Sequence, residues 1–241
     1  MLRNNDLNYG EMMPENYNED EIIVHFLIDT SASMTPYIDL VCRQLNRVVE
    51  ELKNDSMASK MVETAITTFN DTPYLYQDYR PVTQVNSVNF TAGGGTELNK
   101  ALIETVNLVK QRGHRLVDDE GISIRTPFIF LITDGYGGDV TEAARLIKER
   151  TDDKKLQLWT LGVGEYDKAT VAALHPDGKR WYEMKDTADV RTAYEEFFQK
   201  VVTASVKAVS HSRPGERTEF DNPIKHDNST LKAGVDGWLE N

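Results

Sequence analysis

"FLIDTSASM", residues 26–34, decides how this chain is read. It ends the apolar run "EIIVHFLI" (21–28) with a carboxylate and then sets two serines at alternate positions. A nearly unbroken apolar run of this kind is expected of a strand covered on both faces, as in a parallel sheet. Asp29, Ser31 and Ser33 then lie at the carboxyl tip of that strand. In open α/β sheets ligands bind beyond such tips, where the strand order reverses.

The rest of the chain fits the same scheme. Ile38, Val41, Cys42, Leu45, Val48, Val49 and Leu52 recur at steps of three and four, which marks a helix with one buried stripe. Thr35 and Pro36 make an N-cap and first-turn pair for its start. "MVETAITTF" (61–69) reads as a second strand, "NDTP" as a turn, and "YLYQDY" (74–79) as an antiparallel edge strand. "FTAGGGTEL" opens a helix with the stripe Leu98, Leu102, Val106, Val109. A polar excursion, "QRGHRLVDDEGISIR", leads to a further covered strand, "PFIFLIT" (127–133), which runs into "DGYGGD". Asp139 and Glu142 form a capping pair for the next helix. "LQLWTLGVG" is a strand, a short helix is predicted near 167–174, and "RWYEM" is a short strand. A last helix carries Val190, Tyr194, Phe197, Val201 and Val202.

Strands alternating with helices predict a doubly wound, mainly parallel α/β sheet with one antiparallel edge strand and helices on both faces. The expected divisions are a flexible acidic leader (1–20), one domain (21–209) and a polar C-terminal tail (210–241), tethered by Trp238 and Leu239.

Bulk composition narrows the partners. The 241 residues carry 39 acidic and 27 basic side chains, a formal net charge of -12. That charge disfavours nucleic acid and anionic membrane surfaces and favours a cation or a basic protein patch. The single cysteine, Cys42, permits no internal disulfide, which suits a reducing compartment. The polar start is unlike a signal peptide, and no apolar run reaches the length of a membrane span. The expected location is cytoplasmic, so the four Asn-x-Ser/Thr matches at Asn54, Asn70, Asn89 and Asn228 are read as chance.

Adjacent strands lie roughly 4.8 Å apart. If strands 21–28 and 127–133 are neighbours, Asp29 and Asp134 present carboxylates within about 5 Å of each other. Their repulsion is on the order of 3 kcal/mol at an effective dielectric near ~20. A cation or proton is expected to relieve it. Ser31, Ser33 and Thr96 add neutral oxygens, so the set is all oxygen and suits a hard divalent ion, Mg2+ first and Mn2+ or Ca2+ next.

"DTSAS", Thr96 and "TDG" together resemble the metal-ion-dependent adhesion site (MIDAS) of von Willebrand factor type A (VWA) domains. The resemblance implies the ligands Asp29, Ser31, Ser33, Thr96 and Asp134, with a partner protein's Asp or Glu, or a water, completing the coordination. "TAGGGTELNKAL", "PFIFLITDG", "LWTLGVG" and "VKAVSHSRPGE" are similar to the bacterial tellurium-resistance-type (TerY-like) group, over residues 22–217. That similarity implies a tellurite-resistance, stress or phage-defence setting, with a kinase or phosphatase as possible partner. Ala32 replaces a frequent Gly, and "YGGD" replaces a more usual Pro-Thr-Asp. Neither touches a ligand position.

Each residue also has an ordinary reading. Asp29 and Ser31 can make a turn, Ser33 or Thr35 can cap a helix, Thr96 is a good N-cap, and Asp-Gly is a common turn pair. Only their convergence at neighbouring tips favours metal. The "GGG" at 93–95 lacks the spacing of a phosphate loop and is expected to let the backbone turn Thr96 inward. The five histidines, at 25, 114, 175, 211 and 226, lack ligand spacing, and His25 is expected in the core. The rival function is a Mg2+-dependent phosphoryl-transfer enzyme of the haloacid-dehalogenase kind. That chemistry needs an acid two residues after the nucleophilic Asp, where this chain has Ser31. The expected protein is therefore not an enzyme. A structural ion with the binding face elsewhere, on the leader or the 111–126 excursion, is a third reading.

Overall fold

The computed structural model describes residues 20–136, 138–164, 166–184, 189–213 and 229–233. Seven strands form one sheet in the order β3-β2-β1-β4-β5-β6-β7. They are β1 (Ile22–Asp29), β2 (Val62–Phe69), β3 (Pro73–Pro81), β4 (Phe128–Thr133), β5 (Gln157–Gly162), β6 (Trp181–Met184) and β7 (Leu231–Ala233). The pairs β1–β2, β1–β4, β4–β5 and β5–β6 are parallel, whereas β2–β3 and β6–β7 are antiparallel. The order reverses at β1, which has β2 on one side and β4 on the other.

Every residue of β1, β2 and β4 is buried, which accounts for their unbroken apolar character. Ile22, Val24, Phe26 and Ile28 face a core shared with α1 (Ile38–Lys53) and with the C-terminal helix. The one-turn α2 (Ala58–Met61) follows α1 and packs into the same core. Ile23 and Leu27 face a second core with α3 (Leu98–His114), α4 (Thr141–Asp152) and α5 (Lys168–Leu174). The C-terminal helix comprises α6 (Val190–Glu196), a π-helical stretch (Phe197–Thr203) and α7 (Ala204–Ser210). Cys42 behaves as a core residue whose sulfur accepts from the Phe90 N–H at 3.2 Å.

Four sequence expectations change. The sheet has a second antiparallel edge, β7, drawn from the segment read as tail. Three residues carry no periodic signal, and Glu196 fixes the segment by accepting from the Thr230 N–H and hydroxyl, both at 2.6 Å. Trp238, Leu239, His226 and all of the leader except Asp20 lie outside the described residues. α1 begins at Ile38 rather than at Pro36, because a 3-10 turn (Ala32–Met34) intervenes and the Thr35 hydroxyl donates back to the Ala32 carbonyl at 2.7 Å. Asp139 accepts from the Thr141 N–H at 2.9 Å, but the residue before the first turn of α4 is Val140. The polar excursion is largely helical: α3 continues to His114 and a π-helical turn (Arg115–Asp119) follows, because Leu116 extends the buried stripe.

His25 is fully buried between the Tyr79 hydroxyl and Thr67 Oγ1, both at 2.8 Å. Buried His175 bonds Thr160 Oγ1 at 2.8 Å. Burial holds both imidazoles neutral, with pKa values pushed down to about 3. Their folded values lie below the unfolded one, so their stabilising effect is complete above about pH 6.5 and is lost as pH falls towards 3. The slope is about 1.4 kcal/mol per pH unit for each group. His25→Gln, which keeps hydrogen-bonding capacity, is expected to flatten the decline in melting temperature between about pH 7 and about pH 5 relative to the parent. An unchanged slope contradicts this account.

Candidate metal centre

The parallel register pairs Ile28 with Ile132, so Asp29 stands opposite Thr133 and Asp134 lies one residue further along. The two acids are thus offset by one residue along neighbouring strands. Thr133 donates its hydroxyl to Asp29 Oδ2 at 2.7 Å, while accepting from the Gly135 N–H at 2.9 Å. Asp29 Oδ1 accepts from the Ser31 N–H at 2.8 Å. The Ser31 and Ser33 hydroxyls lie 3.1 Å apart.

Burial is graded across the group. Asp29 is 0%, Ser31 1% and Asp134 4% exposed, Thr96 is half-buried, and Ser33 is exposed. Asp29, Ser31 and Asp134 are therefore shielded from solvent, while Ser33 and Thr96 reach it. Burial is the main reason that the Asp29 carboxyl is pushed up to about 6. Its hydrogen bonds to Ser31 and Thr133 oppose that shift, and the charge of Asp134 adds the smallest upward contribution. Desolvation, rather than the repulsion anticipated from the sequence, dominates.

Asp134 is less satisfied. Its Oδ1 accepts a long bond, 3.4 Å, from the Tyr136 N–H. Its Oδ2 is buried with no hydrogen-bond partner among the described residues. A buried carboxylate oxygen without a donor is costly, and a cation is the group that satisfies it. Gly135 keeps the chain close here: its φ is +73°, and a Cβ would sit 3.2 Å from the Asp167 carbonyl.

The glycine-rich loop is fastened to the same edge. Gly93 N–H donates to the Thr30 carbonyl at 2.8 Å, and Ala32 N–H to the Gly94 carbonyl at 3.1 Å. Asn70 and Asp71, in the turn after β2, hold it from the other side. Asn70 Nδ2 donates to the Gly93 carbonyl at 3.0 Å, and the Asn70 carbonyl accepts from Glu97 N–H at 2.7 Å. Asp71 Oδ1 accepts from Gly95 N–H at 2.7 Å. Gly94 has φ +81°, and a Cβ there would meet Asp71 Oδ2 at 2.5 Å, so this contact requires glycine. Thr96 stands between two anchored peptides, and its hydroxyl makes no hydrogen bond among the described residues.

All five predicted positions therefore lie at the carboxyl end of the sheet: Asp29 as the last residue of β1, Ser31 and Ser33 on the loop after it, Asp134 on the β4 loop, and Thr96 on a loop bonded to the first. Sequence reasoning missed Thr133, Asn70 and Asp71. The available signal was position, because the "NDTP" turn follows a strand parallel to β1 and so emerges at the same edge. Among the described residues no group of three or more His, Cys, Asp or Glu side chains is placed to hold a metal. The set here contains two carboxylates, and its other donors are hydroxyls. Such a donor set fits Mg2+ or Mn2+ with water retained in the remaining positions.

The profile of the von Willebrand factor type A domain matches residues 24–196, well over half of the chain. The chain belongs to this family. Domains of the family bind divalent metals and mediate protein–protein interaction, and they are generally interaction modules rather than enzymes. The fold is similar to that of the pilus adhesin SpaC from Lactobacillus rhamnosus GG in its open conformation, with TM-score 0.59, 12% identity, and coverage of 80% of this chain and 30% of that one. The D319A mutant of the PilB minor pilin from Streptococcus sanguinis gives TM-score 0.54 at 12% identity, with coverage of 82% and 63%. Manganese-loaded TRAP protein from Plasmodium vivax gives TM-score 0.50 at 17% identity, with coverage of 75% and 73%. The chain thus spans under a third of SpaC and under two thirds of PilB. A comparison with curated protein sequences finds no match. No helix among the described residues is long and apolar enough to cross a membrane.

In metal-free protein, 13C-carboxyl NMR is expected to show Asp29 titrating near pH 6. Because this folded value exceeds the unfolded one, Asp29 stabilises the metal-free fold increasingly as pH falls through 6 towards about 4. A midpoint near the ordinary aspartate value contradicts the desolvated geometry.

Proposed function

We propose that this domain binds a protein partner through a divalent ion held by Asp29, Ser31, Ser33, Thr96 and Asp134, with an Asp or Glu of the partner completing the coordination. The observation that supports this reading most is the buried Oδ2 of Asp134, which has no hydrogen-bond partner among the described residues. The chain supplies two anionic ligands, which leaves a bound Mg2+ or Mn2+ able to attract an external carboxylate. The ion reverses the local sign on a chain of net charge -12, so the partner acid is expected among neutral or basic surroundings.

The wording of the loops favours the TerY-like setting: a bacterial stress or tellurite-resistance system, a cytoplasmic location, and a kinase or phosphatase of that system as partner. The pilus adhesin and the minor pilin among its structural neighbours make an extracellular location the competing one. Against phosphoryl transfer stands Ser31. It occupies the place where such a reaction needs a second acid, and its N–H and hydroxyl are directed to Asp29.

Mg2+ or Mn2+ is expected to raise the melting temperature near pH 7.5, by mass action on the folded state. The effect is expected to fade towards about pH 5, where Asp29 is protonated and metal competes with a proton. Asp134→Ala is expected to abolish the metal response, and Thr96→Ala to weaken it. An unchanged response in Asp134→Ala refutes the site. Affinity capture from lysate in Mg2+ and in EDTA is expected to yield a partner only with metal. Capture indifferent to chelator contradicts the bridge, and Mg2+-dependent hydrolysis of a generic phosphate ester lost in Asp29→Asn supports the enzyme reading instead.

A further inference from the structure

At the opposite pole from the metal centre, α3 and its π-helical extension part from the amino ends of β4 and β5 around a cavity of about 230 Å³. Pro127 and Leu156, which immediately precede these strands, lie on its wall. β4 has six residues, so the cavity and the metal centre are separated by about 20 Å of strand.

The floor is part of the core itself. Val109 and Leu156, 4% and 2% exposed, belong to the cluster beneath α3 and α4, and half-buried Ile124 packs against it. Val117, at the lip, is 46% exposed and is one of four large hydrophobic side chains that stand out among the described residues. Open apolar surface of this kind is stabilised by an apolar occupant.

The rim has the opposite character from the chain as a whole. Lys110, Arg150 and Lys155 converge on it although the protein carries a net charge of -12. Lys155 is paired with Asp153 at 2.9 Å, and rim residue Asp118 faces His114 at 3.4 Å. Lys110 and Arg150 make no direct ion pair among the described residues, although the Arg150 charge is felt by Asp153. Two cations without a direct ion pair over an apolar floor complement a ligand with an apolar body and one anionic head.

We propose that this cavity is a second binding site, which takes a small anionic amphiphile: a short acyl chain or aromatic ring seated against Val109, Val117, Ile124 and Leu156, its carboxylate held by Lys110 and Arg150. The small volume and a floor made of core side chains favour a compact molecule over an extended peptide. The site is independent of the metal, so chelation leaves it unchanged.

Decanoate tests the assignment on the full chain with 13C-labelled methyl groups. Titration is expected to shift the methyl signals of Val109, Val117, Ile124 and Leu156 ahead of all others, equally in Mg2+ and in EDTA. Decanol, which lacks the charge, is expected to bind about tenfold more weakly, as is decanoate to the surface double variant Lys110→Gln/Arg150→Gln. Circular dichroism verifies that the variant is folded. Shifts scattered over the surface, equal binding of decanol, or an undiminished affinity in the folded double variant each overturn the proposal.

Discussion

The structure depends on the burial of one carboxylate at the point where the sheet reverses. β1 carries Asp29 to full burial between β2 and β4, where water no longer stabilises its charge. The effective penalty for such an ion is several kcal/mol before its partners are counted. Two short hydrogen bonds, from Ser31 N–H and the Thr133 hydroxyl, restrain it without cancelling the penalty. The β1 loop is shaped by the first of these bonds, and the second ties it to β4. A 3-10 turn then intervenes before α1. The Asp29 and Asp134 carboxylates are held apart from water, and Asp134 Oδ2 is unpaired among the described residues, the condition in which a cation is bound strongly.

Much of this was legible in the chain. Continuous apolar runs identified β1 and β4 as covered on both faces, and parallel-sheet rules put their tips at the ligand edge. Asp29, Ser31, Ser33 and Asp134 stand at those tips, while the full set of five, with Thr96, rested on the family resemblance. The distances did not follow, because register is a tertiary property. A one-residue offset sets Thr133, rather than Asp134, opposite Asp29 and changes the dominant electrostatic effect from repulsion to desolvation. Asn70 and Asp71 were read as an ordinary turn, since nothing local to "NDTP" reveals that its backbone and side chains grip a loop more than twenty residues later. The edge strand β7 and the helical continuation past His114 were hidden for a related reason. One is three residues long, and the other is polar except for the stripe residue Leu116.

The two poles of the sheet are built on contrasting chemistry. The carboxyl end gathers acids and hydroxyls. The amino end gathers three cations over apolar side chains. In an acidic protein the second arrangement stands out more, because long-range repulsion turns anions away and only local, specific contacts retain one. Buried β4 runs between the two poles, flanked on both sides by paired strands.

The central claim is that five oxygens from three loops enclose one divalent ion. Crystals grown in MnCl2 and measured at the manganese absorption edge test it most directly. The account requires a single anomalous peak in contact with Asp134 and surrounded by Asp29, Ser31, Ser33 and Thr96. A fully ordered edge with no such peak, and with Asp134 Oδ2 bonded to a protein donor instead, contradicts it.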